Sequence, residues 1–254
     1  MNRFDPFGLP GSVEIIAHRG YSARTPENTN VAMERAIEAG ADAVEFDLHA
    51  ARDGTPVLFH DATLNRTSNG TGPVASWSAA QLGRLDAGSW FDPAFRGEPI
   101  PALAATLELI GHRVSRVYAE VKGYRNPEDL DRIVEVVAQA GLSASTVFIS
   151  MDWEALDRIR VSDPNALIGY IVEVSSRAEE GIERATGDPR ALLDYDARIL
   201  LADRRLAVAS LTAGIALATW TVNTTAQAAE LLSIGVPRIT TNEVGALRAW
   251  ANEL

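Results

Sequence analysis

Strand-like apolar runs alternate with helical segments from one end of the 254 residues to the other, and this alternation narrows the fold more than any other feature. Strand patterns lie at 13–17, 43–48, 56–60, 116–122, 146–150, 166–172, 197–202, 216–222 and 238–241. Helical patterns lie at 28–39, 78–83, 102–111, 128–140, 153–160, 177–185, 203–213, 225–233 and 243–251. Such alternation builds a parallel sheet covered by helices. One pair departs from it. Only about eight residues separate 43–48 from 56–60, and they contain Asp53-Gly54. A parallel crossover needs roughly a dozen residues or more, whereas Asp-Gly signals a hairpin. Segment 56–60 is therefore expected to return antiparallel on an extension of the second strand. Eight parallel strands remain, each followed by a helix, which is an α/β fold of the TIM (β/α)8 barrel class. The loop-rich stretch from about 61 to 100 reads as a small cap inserted after the second strand, lying over the barrel mouth. No linker or internal repeat divides the chain, so 1–254 reads as a single domain.

Composition removes several classes of function. The formal net charge of −11 disfavours nucleic acid and anionic membrane surfaces as partners. The absence of cysteine excludes disulfides, thiolate catalysis and cysteine-based zinc sites. Met1–Gly11 has no apolar signal core and no run approaches the length of a membrane span, so a cytoplasmic location without stable membrane association is expected.

The chemistry is concentrated where apolar runs end. Ile15-Ile16-Ala17 leads into His18-Arg19-Gly20, Ala43-Val44 into Glu45-Phe46-Asp47, Val57-Leu58-Phe59 into His60-Asp61, and Tyr118-Ala119 into Glu120-Val121-Lys122. Charge at a half-buried strand end is costly unless it is paired, bound to metal or used in chemistry. In a barrel of this class the C-terminal strand ends form the active site. Glu45 and Asp47 are two apart on one strand and share a face, as do Glu120 and Lys122 on another. Three converging carboxylates suit a hard divalent cation, Mg²⁺ or Ca²⁺, with Mn²⁺ also admissible; pairing with arginines is the competing explanation. His18 and His60 are candidates for proton transfer, while His49 and His112 read as structural or surface residues. Arg19 offers a bidentate grip on phosphate, and Lys122 adds a point charge. Lys122 is the one lysine in the chain, against 22 arginines, which marks a position where an ammonium is not replaced by guanidinium. Trp220 is either an apolar wall for substrate or a core residue.

These motifs, with Pro26-Glu27-Asn28-Thr29, Leu64-Asn65-Arg66-Thr67 and Thr219-Trp220-Thr221-Val222-Asn223, resemble in order the glycerophosphodiester phosphodiesterases over roughly 13–242. The resemblance implies a TIM barrel with a cap after the second strand, and an enzyme that hydrolyses small-molecule glycerophosphodiesters to sn-glycerol 3-phosphate and an alcohol. It implies Glu45, Asp47 and Glu120 as ligands of a divalent metal, and His18 and His60 as the catalytic acid/base pair. Arg19 and Lys122 would hold the phosphate, with Glu27 supporting the first loop. Two places depart from the family pattern: Ala50-Ala51-Arg52 before the hairpin, and Thr241-Asn242-Glu243-Val244, where the family tends to T-D-x-P. Neither is expected to carry chemistry. Competing functions are lysophospholipase D-type cleavage of lysophospholipids, favoured by an apolar rim around Trp77, Trp90, Phe91 and Phe95, and a non-catalytic binding barrel. A two-carboxylate glycosidase leaves the histidines and Lys122 unexplained.

Overall fold

A computed structural model describes residues 6–9 and 11–254; part of the Met1–Gly11 segment, on which the expectation of no leader rests, lies outside them. Eight parallel strands close a barrel. They are β1 (Glu14–Ala17), β2 (Ala43–Ala50), β4 (Arg116–Gly123), β5 (Thr146–Ser150), β6 (Leu167–Val172), β7 (Ala191–Asp196), β8 (Ala216–Trp220) and β9 (Arg238–Thr241). Each pairs with the next in this order, and β9 pairs back onto β1. As the Asp53-Gly54 signal predicts, β3 (Pro56–Leu58) runs antiparallel on the end of β2, with Leu48 opposite Leu58 and Ala50 opposite Pro56.

Helices α1 (Asn30–Glu38), α3 (Leu103–Ile110), α4 (Pro127–Gln139), α5 (Trp153–Ser162), α6 (Ala178–Ala185), α7 (Ala197–Ala202), α8 (Arg205–Thr212), α9 (Thr225–Ser233) and α10 (Val244–Ala251) surround the barrel. Their starts follow local chemistry. Asn126 accepts from the Asp129 amide ahead of Pro127, and Asp152 accepts from the Glu154 and Ala155 amides. The main core lies between strands and helices, where Val44, Phe46, Phe148, Leu193 and Ile239 are buried together with Met33, Leu107, Ile133 and Leu156. Truncating Phe148 to Ala there should cost about 3–5 kcal/mol. Among the described residues no helix is long and apolar enough to cross a membrane.

One sequence assignment is corrected. Residues 197–202 form α7, not a strand, and the seventh strand is the preceding Ala191–Asp196. A short, mostly apolar run fits a strand or a buried helix equally well by pattern. The Asp196 side chain decides, because it accepts from the Arg198 amide and caps a helix start. The strand itself was hidden because it carries Asp194 and Asp196, both buried.

The closed end of the barrel holds an ion cluster. The Glu14 carboxylate accepts from Arg116 Nη1 at 2.7 Å and Tyr118 OH at 3.0 Å, and Arg238 Nε lies 3.4 Å away. Arg116 and Arg238 also donate to the backbone carbonyls of Pro6 and Phe7. Here one carboxylate faces two arginines, the reverse of the balance at the opposite end.

Residues 61–100 carry α2 (Ala79–Leu82) and two single 3₁₀ turns, Val74–Ser76 and Pro93–Phe95. Ala51, Val57 and Phe59 are buried against Leu64, Val74, Leu82, Ala87 and Ile100, a small core that fastens this segment to the β2–β3 hairpin. Trp90, Phe91 and Phe95 stack edge-on with centroids 5.7 and 5.8 Å apart. Of the four aromatics suggested as an apolar rim only Trp90 is exposed, at 40%.

Candidate active site

The C-terminal strand ends enclose a pocket of about 400 Å³, including its open mouth, lined among others by His18, Arg19, Glu45, His60, Glu120, Lys122 and Trp220. Seven of the eight residues singled out in the sequence therefore line one cavity. The eighth, Asp47, is fully buried beside it.

Glu45, Asp47 and Glu120 each present a carboxylate oxygen, all within 4.8 Å of one another. Register explains the meeting, since Asp47 on β2 is directly opposite Glu120 on β4. Glu45 Oε1 and Asp47 Oδ1 are buried without a hydrogen-bond partner. Three carboxylates face two cations: Lys122 Nζ lies 2.9 Å from Glu120 Oε1 and 3.8 Å from Asp47 Oδ1, and Arg19 Nε lies 3.2 Å from Asp47 Oδ2. The trio is thus short of positive charge. Burial, then the charge of Asp47, pushes the Glu120 carboxyl up to about 7. Burial together with Asp47 and Glu120 raises Glu45 well above the carboxylate range. Asp47 is held below it, because Arg19, Lys122 and His60 outweigh its own burial. An all-oxygen donor set with two orphaned buried oxygens and an excess of negative charge fits a hard divalent cation.

The loops after β1 are bent to reach this cluster. Arg19 and Asn28 both adopt left-handed backbone, φ 55° and 58°. Outside glycine such geometry costs on the order of 1–3 kcal/mol and persists only where contacts enforce it. Here the Arg19 amide donates to Glu45 Oε2 at 2.8 Å and the Asn28 amide to the Arg19 carbonyl at 3.1 Å. The Asn28 side chain donates to Asp47 Oδ2 at 2.7 Å and accepts from the Asp47 amide at 3.0 Å. The α1 cap belongs to Thr29, which leaves Asn28 free for this task. Gly20, at φ 77°, has no room for a Cβ, which would lie 2.6 Å from Ala32.

The histidines are held differently. His18 Nδ1 lies 2.7 Å from Asn242 Oδ1, which also accepts from Ser22 Oγ at 2.8 Å, and the Asn242 amide donates to Asn223 Oδ1 at 2.9 Å. Burial first, then the neighbouring Arg19, pushes the His18 imidazole down to about 4. His60 Nδ1 lies 2.6 Å from Asp61 Oδ1. Arg66 donates from Nε to Asp61 Oδ2 at 2.8 Å and from Nη2 to Glu27 Oε1 at 2.8 Å, and Glu27 in turn holds Arg19 Nη1 at 2.9 Å. The chain His60–Asp61–Arg66–Glu27–Arg19 therefore links the cap, the second histidine and the arginine that follows the first. His49, read as structural, sits behind His60 with Nε2 3.0 Å from its carbonyl oxygen; His112 is exposed.

Sequence reasoning missed Asn242, Arg66, Asp61 and Asp194 as parts of the site. Asn242 lies in the family departure expected to be remote from the chemistry, yet it holds His18. The other three had signals: Asp61 adjoins His60, Arg66 lies in a family motif, and Asp194 was lost with the misplaced seventh strand.

A parallel barrel with an acidic centre, two histidines and two cations at its C-terminal mouth defines a class of phosphoryl-transfer hydrolases on the TIM barrel. The model of the glycerophosphoryl diester phosphodiesterase family matches residues 18–246. A glycerophosphodiester phosphodiesterase of Bacillus subtilis (strain 168) is 28% identical over 258 aligned positions, covering 92% of this chain and 84% of the relative. One from Caldanaerobacter subterraneus is 34% identical over 161 positions, covering 63% and 66%. Among solved structures, an Oleispira antarctica phosphodiesterase in complex with the product sn-glycerol-3-phosphate superposes with a TM-score of 0.85 at 28% identity, covering 94% of this chain and 96% of that one. The chain belongs to the glycerophosphoryl diester phosphodiesterase family and is an enzyme of that class, a hydrolase.

Proposed function

We propose that this chain hydrolyses small glycerophosphodiesters to sn-glycerol 3-phosphate and an alcohol in a divalent-metal-dependent reaction with His18 as base and His60 as acid. The observation that carries the proposal is the buried trio Glu45, Asp47 and Glu120, short of positive charge, at one pocket with the two histidines, Arg19 and Lys122. The trio would hold the cation, Mg²⁺, Ca²⁺ or Mn²⁺, which when bound supplies positive charge to the phosphate. Arg19 and Lys122 orient the phosphate and stabilise the charge that develops on it. With Asn242 Oδ1 accepting at Nδ1, the neutral His18 ring keeps its Nε2 lone pair free. Burial and Arg19 both keep it neutral, the state in which it takes a proton from the attacking hydroxyl, whether of water or of the glycerol 2-position. His60, oriented through Nδ1 by the Asp61 carboxylate, serves as the acid that gives its Nε2 proton to the departing alkoxide. Barrel and cap act as one catalytic domain, the cap supplying Asp61 and Arg66.

The test is release of sn-glycerol 3-phosphate from glycerophosphocholine, with EDTA and metal add-back, and with lysophosphatidylcholine assayed alongside. His18→Ala and His60→Ala should each lower kcat by about a hundredfold or more while leaving the circular dichroism spectrum unchanged. Full activity in EDTA, or in both histidine variants, would contradict the proposal. Faster cleavage of lysophosphatidylcholine would move the substrate class to lysophospholipids.

A further inference from the structure

His60 lies just past β3, after the point where the Phe59 amide donates to the Asp47 carbonyl at 3.0 Å. The His60 carbonyl takes its hydrogen bond from a side chain instead, His49 Nε2 at 3.0 Å. A carbonyl oxygen only accepts, so this nitrogen carries a proton in either charge state of the ring. His49 is 8% exposed, and a local irregularity of the sheet accommodates it. The pairing of β2 with β4 runs Asp47 opposite Glu120 and Leu48 opposite Val121, then shifts, so that His49 is opposite Gly123 and Lys122 is the extra residue on β4. A Cβ at Gly123 would lie 2.4 Å from His49 Nδ1 and 2.8 Å from its Cε1. The backbone of Gly123 is not left-handed, so what this position needs from glycine is room for the imidazole.

The ring is thus wedged against β4 on one side and bonded to the segment after β3 on the other. We propose that His49 is a positioning residue for His60: its Nε2–H fixes the His60 backbone, while Asp61 fixes the His60 ring through Nδ1 at 2.6 Å. The inference rests on the phosphodiesterase reading above. One anchor at Nδ1 leaves an imidazole free to pivot about that bond; a second at the backbone removes the pivot. The Nε2 of His60 must meet the departing oxygen closely, and a misplacement of about 1 Å costs on the order of a hundredfold in rate. A residue that merely filled the space beside Gly123 would have no need of a donor at this atom, and that difference is what the test reads.

The experiment measures kcat and KM for release of sn-glycerol 3-phosphate from glycerophosphocholine in Mg²⁺ buffer, on the full chain. The variants are His49→Leu, which fills space without a donor, and His49→Gln, which keeps an N–H, each alone and combined with His60→Ala. His49→Leu should lower kcat about tenfold with KM changed by less than about twofold. His49→Gln should restore most of the loss. In the His60→Ala background His49→Leu should cost less than about twofold more, because the residue it acts through is gone. Gly123→Ala, which drives a methyl into the imidazole, should reproduce the fall in kcat and serves if the Leu variant does not fold. A Gln variant no better than Leu, or an undiminished loss in the His60→Ala background, overturns the positioning role. Ring resonances give a readout independent of turnover. With four histidines in the chain, the His60 signal is assigned by its absence from His60→Ala. It should shift in His49→Leu and hold in His49→Gln; a signal unmoved by Leu also overturns the role. No release by the wild type defeats the phosphodiesterase reading, and the resonances then decide the placement alone. Release with equal kcat in every His49 variant defeats only this assignment.

Discussion

Replacing Glu45 by Gln should stabilise the metal-free protein and destroy its response to metal. Glu45, Asp47 and Glu120 place oxygens within 4.8 Å of one another, with Glu45 Oε1 unpartnered. At an effective dielectric of about 20, two unit charges 4.8 Å apart repel by roughly 3.5 kcal/mol. Proton uptake relieves part of this repulsion at neutral pH, and Gln keeps the shape and the bond from the Arg19 amide. A gain of about 1–2 kcal/mol in EDTA is expected. With roughly 2–4 °C per kcal/mol for a chain of this size, Tm should rise by about 2–8 °C. Wild type, by contrast, should gain about 2.7 kcal/mol from a cation at a hundred times its Kd, and the variant little or none. Thermal unfolding in EDTA and in a Mg²⁺, Ca²⁺ and Mn²⁺ series reads both effects. A variant less stable than wild type in EDTA, or equally stabilised by metal, would refute the electrostatic account of the trio.

Because Glu120 titrates near 7 and ligation requires its carboxylate, metal affinity should strengthen as pH rises through that value, which calorimetry at pH 6 and 8 can follow. Replacing Arg66 by Lys breaks the fork that joins Asp61 to Glu27, so kcat should fall about tenfold, and partial recovery in Lys over Met would measure how much of the role is charge alone. Asn242→Asp should raise the acidic limb of the pH–kcat/KM profile, because a carboxylate at His18 Nδ1 favours the imidazolium. Asn242→Ala should lower kcat with little change in KM. His18 also bears on stability: its imidazole is at about 4 in the fold against 6.5 unfolded, so the unfolded chain binds an extra proton between those values. Stability from this group is present above pH 6.5 and is lost as pH falls toward 4, and urea midpoints of His18→Asn should show a shallower decline across that window.

Strand–helix alternation, the short Asp53-Gly54 connection and the charged strand ends made the barrel, the β3 return strand and the members of the acidic cluster legible from the chain alone. These are local properties: period, turn chemistry and the improbability of charge at the end of an apolar run. Side-chain parity on a strand sufficed to pair Glu45 with Asp47, and Glu120 with Lys122. The reading failed at 191–202, where a buried Asp194 and Asp196 break the apolar pattern of β7 and an apolar helix follows. Composition cannot show that a barrel interior has room for an acid. Nor could it show that Asn242 reaches His18 across 224 residues, that Arg66 joins the cap to the loop after β1, or that β7 stands opposite β2. Those relations arise from closure of the ring and the register of its strands, which depend on all eight strands at once. Residue types and their order thus determined what chemistry was available, while tertiary structure decided which groups meet and which are left unpaired.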